Sequence, residues 1–185
     1  MYYVIYVNAR NESGAKELIG RYIPDSLYSD CFYPVRLMKK KLRGKWTIVH
    51  ERLIPGYIFI ESDDVKSLYK ELRKLPMFLR LLGKEESEED IDIYPLSEEE
   101  VNWLKTLTGN KDKSSDDNHE VGLSQVGFDE NDNVIIMSGP LLGMQGQIKK
   151  INLHKRIAEV EVEFMNQKTI IHLGIEILEK SEKEV

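Results

Sequence analysis

A run of basic residues beside a tryptophan is the part of this sequence whose side chains are best suited to bind a ligand. The cations are Lys39, Lys40, Lys41, Arg43 and Lys45, and Trp46 follows them directly. Lysine and arginine neutralise phosphate groups, which releases counterions and gives an affinity that falls steeply with salt. An indole stacks on an unpaired base, as in proteins that bind single strands. The run therefore predicts nucleic-acid binding, and the alternative is a solvated turn that keeps an edge strand from aggregating.

Further cations in the same half of the chain extend the predicted patch: Arg52, Arg73, Lys74, Arg80 and Lys84. Residues 1–84 hold 16 Lys+Arg against 9 Asp+Glu, a net charge of +7, and residues 85–185 hold 10 against 23, a net charge of −13. The overall charge of −6 therefore hides a basic region. The basic run is mostly lysine, which binds phosphate as a point charge, so we expect contact with the polynucleotide backbone. RNA and DNA both remain open.

No pattern in the sequence indicates catalysis or a metal site. The four histidines, His50, His119, His154 and His172, show no ligand spacing with one another or with Cys31. Phosphate-binding loops, dinucleotide fingerprints and nucleophile elbows do not occur. We therefore expect a protein that is not an enzyme and that has no cofactor and no metal. Its single cysteine fits a reducing cytoplasm and is expected to be structural.

The periodicity of apolar residues predicts the elements that position the basic run. Strands are expected over 2–7, 31–38, 46–53, 57–60 and 78–82, with 39–45 as a turn around Gly44. Helical spacing predicts helices over 15–23 and 65–75, and a third that begins at Ser97, where Glu100 completes a capping box. This mixture predicts an α+β fold in which helices cover an antiparallel sheet.

The second part of the chain has the pattern of a small all-β domain. Residues 109–120 contain no large apolar side chain and are predicted to be a flexible linker. Strands are predicted over 134–137, 147–151, 158–164 and 169–173, and four or five strands fit an SH3-like barrel. The predicted domains are therefore 1–108 and 121–185, joined by 109–120. No apolar run approaches the ~20 residues of a membrane span, so we expect no membrane partner. We expect a monomer because no pattern suggests a self-complementary interface, and the single cysteine favours the cytoplasm.

A glycine-rich segment between two of these strands contains Gly139, Pro140, Gly143 and Gly146. Glycine at such positions permits positive φ or close approach of the backbone. With strands on both sides, the segment resembles the KOW motif of ribosomal and transcription factors. The alternative is an ordinary glycine-rich turn of a small barrel.

Residues 52–60, Arg-Leu-Ile-Pro-Gly-Tyr-Ile-Phe-Ile, resemble the F-P-G-Y signature of the NusG N-terminal (NGN) domain. The opening residues 2–5 resemble that family's W-Y start, and 76–83 lie where the family has a P-x-V-x-x-F-x-G stretch. Together the motifs follow the family's order over nearly the whole chain, which therefore resembles the NusG family of transcription elongation factors. Ile54 stands where an aromatic is usual, and the segment 153–162 is similar to the specialised paralogs that include LoaP. Those paralogs are antiterminators on selected operons.

The resemblance implies a ferredoxin-like NGN domain that docks on the clamp helices of the largest RNA polymerase subunit. The residues that it assigns to this docking are Tyr6, Ile54, Pro55, Tyr57 and Phe59. Tyr57 and Phe59 are two apart on a predicted strand and so share a face. The alternative for these aromatics is packing beneath the domain's own helices.

The resemblance also implies two further partners: a nascent RNA hairpin or non-template DNA at the basic patch, and a second protein at the barrel. It predicts an elongation factor that suppresses pausing and promotes antitermination. Two alternatives remain: a general factor that needs no recruiting sequence, and a KOW-containing RNA-binding or ribosome-associated protein that never contacts polymerase.

Overall fold

The computed structural model describes residues 1–8, 10–85, 91–109 and 119–178, except for the side chains of Lys84, Glu85 and Ile91. The strands are β1 (Tyr2–Tyr6), β2 (Asp30–Phe32), β3 (Val35–Leu42), β4 (Lys45–Arg52), β5 (Tyr57–Glu61), β6 (Arg80–Leu81), β7 (Gly83–Glu85), β8 (Ile91–Ile93), β9 (Glu120–Val121), β10 (Ser124–Phe128), β11 (Val134–Ser138), β12 (Ile148–Asn152), β13 (Ile157–Phe164) and β14 (Gln167–Ile177). The α-helices are α1 (Glu12–Tyr22), α2 (Val65–Leu72) and α3 (Glu98–Thr108). The predicted α+β class is confirmed.

The described chain divides into two compact units. The first comprises Met1–Pro34 and Ile54–Val101, and the second comprises Val35–Leu53, 102–109 and 119–178. The hairpin of β3 and β4 thus belongs with the C-terminal strands, although it lies inside the predicted first domain. The predicted domain boundaries at 108 and 121 stay a prediction. Most of the predicted linker, residues 110–118, lies outside the described residues.

The first unit is built on an antiparallel sheet of order β2-β5-β1-β6. Both middle strands are apolar, and Val4, Ile5, Ile58 and Ile60 are buried. Helix α1 buries Ala15 and Ile19, four residues apart, and α2 buries Leu68 and Leu72 with the same spacing. The helical spacing of apolar residues that predicted these helices therefore also identifies the residues that they bury.

Side chains cap two of the helices. The Asp64 carboxylate accepts the Ser67 amide at 3.1 Å at the start of α2. At the start of α3, Ser97 and Glu100 form the predicted capping box: the Ser97 amide donates to the Glu100 carboxylate at 2.7 Å, and the Glu100 amide donates to the Ser97 hydroxyl at 3.2 Å.

The second unit contains a five-stranded sheet of order β11-β10-β14-β13-β12. On β13, Val160, Val162 and Phe164 are buried and alternate with glutamates that are half-buried or exposed, as the period-2 pattern predicted. A two-residue turn at Met165 and Asn166, with φ of 53° and 58°, joins β13 to β14. Such left-handed pairs match the twist of the flanking strands.

The β3–β4 hairpin extends further than the sequence suggested. Residues 39–45 were expected to form a turn, but pairing continues to Leu42↔Lys45, so most of the lysines lie on strand β3. The expected turn is wrong because the reversal needs only two residues. Arg43 and Gly44 supply it with φ of 49° and 83°, the backbone of a type I′ turn.

Strand β14 holds the hairpin within the second unit. A Cβ at Gly174 would overlap the Leu37 carbonyl oxygen on β3 and approach Leu123 Cδ2 to 2.6 Å. The Arg36 guanidinium, also on β3, donates to the His172 carbonyl at 2.7 Å. Strand β9 adds a parallel pairing to the beginning of β3. The hairpin therefore contacts β14 by backbone as well as by side chain.

None of the helices in the described ranges is long and apolar enough to cross a membrane.

A buried carboxylate fixes a turn in the first unit. Glu12, in the first turn of α1, is fully buried, and its Oε1 accepts the Gly56 amide at 2.7 Å. Gly56 has φ of 87°, and its carbonyl accepts the Val7 amide at 2.8 Å. Glu12 thus ties α1 to the turn between Ile54 and Tyr57, a role that sequence reasoning missed. The only signal was an acidic residue in the first turn of a helix.

We expect Glu12→Ala to lower the free energy of unfolding by about 1–3 kcal/mol, because it leaves the buried Gly56 amide without its acceptor. Glu17→Ala is the matched control, since Glu17 is exposed and pairs with Arg21 on the same helix. The measurement is urea unfolding followed by circular dichroism. Equal stability of the two variants would show that Glu12 does not hold the turn.

Candidate nucleic-acid and protein interfaces

The cations of the β3–β4 hairpin divide into two groups according to their partners. Lys39 contacts Glu176 on β14, and Lys40 contacts Glu51 on β4. Arg36 also binds Glu51, at 3.2 Å. These cations are held in ion pairs within the second unit, and the binding of phosphate by Lys39 and Lys40 stays a prediction.

The second group lies at the end of the hairpin. Lys41, Arg43 and Lys45 are exposed, and within the described part of the chain no salt bridge involves them. Trp46 pairs with Lys41 across the strands and is 40% exposed. The Arg156 guanidinium lies over its ring, 5.2 Å from the centroid. The predicted combination of cations and an accessible indole is therefore brought together at this end.

The remaining predicted cations are distributed over both units. Arg52 is half-buried on β4. Arg73, Lys74, Arg80 and Lys84 belong to the first unit. Arg73 lies over the Tyr69 ring at 5.8 Å, and Lys74 pairs with Glu71 at 2.6 Å. Arg80 is exposed on β6, and the side chain of Lys84 lies outside the described atoms. Their membership of a nucleic-acid site stays a prediction.

The ion pairs of Glu51 set its protonation. Hydrogen bonding from Lys40 is the largest influence and holds the pKa of Glu51 below its ordinary value; burial opposes this, and Arg36 adds to the lowering. Glu51 is therefore ionised at neutral pH and stabilises the two cations beside it.

The predicted protein-binding aromatics lie on the paired strands β1 and β5. Tyr6 is directly opposite Tyr57, and their rings meet edge to face with centroids 5.7 Å apart. Tyr6 is 37% exposed, Tyr57 is half-buried and Pro55 is exposed. This cluster, which we call the tyrosine pair, presents aromatic surface beside the turn that Glu12 holds.

Two other members of the predicted protein-binding set are in the interior. Phe59 is 0% exposed and stacks on Phe32 with centroids 5.5 Å apart. Ile54 is also buried. Neither side chain offers surface to a partner in this structure, so Phe59 follows the alternative in which the aromatic packs in its own domain. Of the five residues predicted for docking, Tyr6, Pro55 and Tyr57 therefore have accessible side chains, and their contact with a partner stays a prediction.

The glycine-rich segment is held by a buried serine. Gly139 has φ of 93°, and a Cβ there would lie 2.6 Å from Ser124 Cα. Pro140 begins a short 3-10 helix, and the buried Ser124 hydroxyl accepts the Leu141 amide at 3.0 Å. Gly139 therefore has both a positive φ and a close approach to a neighbouring backbone, the two conditions for which glycine was expected. Ser124 is a second residue that sequence reasoning missed.

The other two glycines of that segment differ from each other. A Cβ at Gly143 would meet the Thr106 methyl at 2.6 Å, which is a close approach to a side chain. At Gly146 nothing lies within 4 Å, and its φ is outside the left-handed region. The expectation that Gly146 serves a positive φ or a close approach is therefore wrong.

Cys31 is buried, and burial raises the pKa of its thiol to about 12. At neutral pH it is a protonated, apolar side chain rather than a nucleophile. Among the described residues, no three His, Cys, Asp or Glu side chains are grouped so that they could hold a metal ion.

Comparison with known proteins gives two family matches. Residues 1–105 match the family described as transcription termination factor nusG, and residues 130–163 match the KOW motif. The Thermus thermophilus transcription termination/antitermination protein NusG is 27% identical over 135 residues, which is 70% of this chain and 68% of the relative. The NusG of Borreliella burgdorferi is 23% identical, covering 97% of each chain. A solved structure described as "Domain interaction in Thermotoga maritima NusG" covers 94% of this chain and 92% of its own, with 20% identity and a TM-score of 0.48.

The ion pairs of Glu51 predict a pH dependence of stability. Its folded pKa is depressed, so its stabilisation is full above the unfolded-state pKa and is lost as pH falls through the folded value. Since the group is partly exposed, we expect less than about 1 kcal/mol. Urea unfolding of Glu51→Gln should therefore lose less stability than wild type between pH 7 and pH 3. Lys40→Gln should reduce the same dependence, and parallel pH profiles for all three proteins would contradict this assignment.

Proposed function

The chain belongs to the NusG family of transcription termination and antitermination factors, and we propose that it is an elongation factor that binds RNA polymerase through its N-terminal domain. In this proposal it docks on the clamp helices of the largest subunit, suppresses pausing and promotes processive antitermination at selected operons. The observation that carries the docking is the tyrosine pair beside the Pro55–Gly56 turn, in which Tyr6 is exposed and Tyr57 is half-buried.

The tyrosine pair has the physical properties of a docking site. Tyr6 and Tyr57 offer rigid apolar surface, and a tyrosine loses little conformational entropy when it is covered. The turn beside them is fixed by the buried Glu12 contact, so the surface is pre-organised. Burial of these rings in a groove between two helices supplies the affinity.

Binding of this kind favours elongation through differential affinity. A factor shifts the equilibrium between paused and elongating polymerase only as far as it binds one state more tightly. Contact with the clamp helices in the elongating state stabilises that state. The hairpin cations add contact with nucleic acid, either a nascent RNA hairpin or non-template DNA, which recruits the factor to particular operons.

The KOW barrel has a separate part in this proposal. It binds a second protein, and the predicted linker of residues 109–120 raises the effective concentration of that protein near polymerase. Within the family, the alternative is a general elongation factor that needs no recruiting sequence. Outside it, the alternative is a KOW-type RNA-binding or ribosome-associated protein.

We expect Tyr6→Ala and Tyr57→Ala each to weaken binding to the isolated clamp-helix coiled coil by about tenfold or more, the share of a hot-spot aromatic. Tyr22→Ala is the matched control, because Tyr22 is an aromatic of the same unit on α1 and is 58% exposed. Binding is measured by isothermal titration calorimetry, with thermal unfolding of each variant recorded alongside. If wild type does not bind at micromolar concentration, the elongation-factor proposal fails and the RNA-binding alternative gains.

A second prediction concerns recruitment, measured as readthrough of an intrinsic terminator with and without an upstream leader from a candidate operon. The triple variant Lys41→Gln/Arg43→Asn/Lys45→Gln removes the three hairpin cations that make no salt bridge within the described residues, and asparagine tolerates the left-handed turn at position 43. We expect leader-dependent readthrough in wild type and its loss in this variant.

The control for that experiment is Arg21→Gln/Lys66→Gln/Lys70→Gln, which removes three positive charges from the helices of the first unit. It should keep the readthrough of wild type. Equal readthrough on every template, with or without the leader and in both variants, would instead identify a general factor.

A further inference from the structure

An arginine in a turn between two C-terminal strands lies against the tryptophan of the hairpin. Arg156, in the turn between β12 and β13, lies over the Trp46 ring at the hairpin end, 5.2 Å from its centroid. Both residues belong to the second unit and are 110 positions apart in the sequence. Spacing along the chain did not predict that this arginine lies beside the basic run.

The position of Arg156 is fixed by its own turn. Its amide donates to the Leu153 carbonyl at 3.3 Å, and its carbonyl accepts the Ile175 amide on β14 at 3.0 Å. The neighbouring Lys155 amide donates to the Asn152 side chain at 2.9 Å. Arg156 has φ of 59°, a conformation typical of a tight turn. The guanidinium is therefore presented to Trp46 by a turn anchored on β14.

The charge around this stacked pair is unbalanced. Lys41, Arg43, Lys45 and Lys155 are exposed, and across the described ranges none of them has a salt-bridge partner. Lys39 and Lys40, closer to the beginning of β3, are both paired with glutamates. A surface that leaves its outermost cations together, next to an accessible indole, is suited to a polyanion that carries flat rings.

We propose that the hairpin end and the β12–β13 turn form one site for a single-stranded polynucleotide, with an unpaired base stacked on Trp46 and phosphates bound by the cations on both sides. We call it the composite site; it consists of Lys41, Arg43, Lys45, Trp46, Lys155 and Arg156. It rests on the proposed nucleic-acid contact of the hairpin and adds the C-terminal sheet to it. RNA and DNA share this chemistry.

Stacking accounts for the preference for a single strand. In a duplex the bases are paired and stacked on one another, so only an unpaired base can offer its face to an indole. One face of Trp46 meets Arg156, and its exposed fraction of 40% leaves surface for such a base. The guanidinium also supplies a planar cation next to the bound base.

The test uses the fluorescence of Trp46 in the full chain. The sequence has two tryptophans, and Trp103 is buried with its indole N–H donating to the Glu163 carbonyl at 2.9 Å. Quenching by a stacked base should therefore come from Trp46 alone. The probes are a 12-nucleotide oligouridylate, a 12-nucleotide oligodeoxyuridylate and a DNA duplex of equal length.

We expect both single strands to quench the fluorescence and the duplex to quench it much less. Arg156→Asn, which suits the left-handed turn, and Lys155→Gln should each weaken binding about fivefold, and each should reduce the slope of log K against log salt by about 0.7. Arg156→Lys should retain the slope but lose part of the quenching, because it keeps the charge and removes the planar group. Lys168→Gln, at the opposite end of the β13–β14 ladder, should bind as wild type does.

Three outcomes would overturn the composite site. If Lys155→Gln and Arg156→Asn bind as tightly as wild type while Lys41→Gln/Arg43→Asn/Lys45→Gln does not, the hairpin contact stands and the contribution of the turn is refuted. If the duplex quenches as strongly as the single strands, stacking is refuted. If no probe binds, the site is absent, whereas docking by the tyrosine pair is decided separately by the clamp-helix titration. A preference between oligouridylate and oligodeoxyuridylate, which carry the same base, identifies RNA or DNA as the ligand.

Discussion

The backbone of β3 approaches β14 so closely at Gly174 that no side chain fits between that residue and the Leu37 carbonyl. This approach decides where the hairpin lies in the second unit, and with it the surroundings of each hairpin cation. Arg36 and Lys39 reach groups on β14, and Lys40 shares Glu51 with Arg36. The strand then continues past β14 into solvent. Cations held in ion pairs therefore precede, on the same strand, Lys41, which makes no salt bridge within the described residues.

The two motifs by which the family is recognised follow a common physical logic. In each, a glycine with positive φ makes a turn whose amide is bonded by a buried polar side chain from another element. Glu12 on α1 accepts the Gly56 amide, and Ser124 on β10 accepts the Leu141 amide next to Gly139. A buried amide without an acceptor is costly, so the turn and its acceptor depend on each other. Each sequence motif contains the turn but not the side chain that accepts its amide.

Much of the fold followed from local patterns. The period of apolar residues located the three helices, the Ser97–Glu100 pair marked the start of α3, and the alternation on β13 showed its buried face. The site was harder, because it depends on long-range contacts. Spacing showed that Tyr57 and Phe59 share a face, but only packing against Phe32 shows that Phe59 is interior. In the same way, the five hairpin cations look alike in the sequence. In the structure Lys39 and Lys40 pair with Glu176 and Glu51. Arg156 lies over Trp46, beside the others.

The contact of the hairpin with β14 also has a consequence for synthesis of the chain. The Arg36–His172 bond joins residues 136 positions apart. At about 5–20 residues per second, a ribosome delivers β14 on the order of ten seconds after β3. During that interval the edge of β3 that contacts β9 and β14 in the finished protein lacks those partners. An uncovered strand edge pairs readily with other chains, and lysines on the strand oppose this. Lys39, Lys40 and Lys41 lie on this strand, and the first two enter ion pairs only when Glu176 and Glu51 are in place.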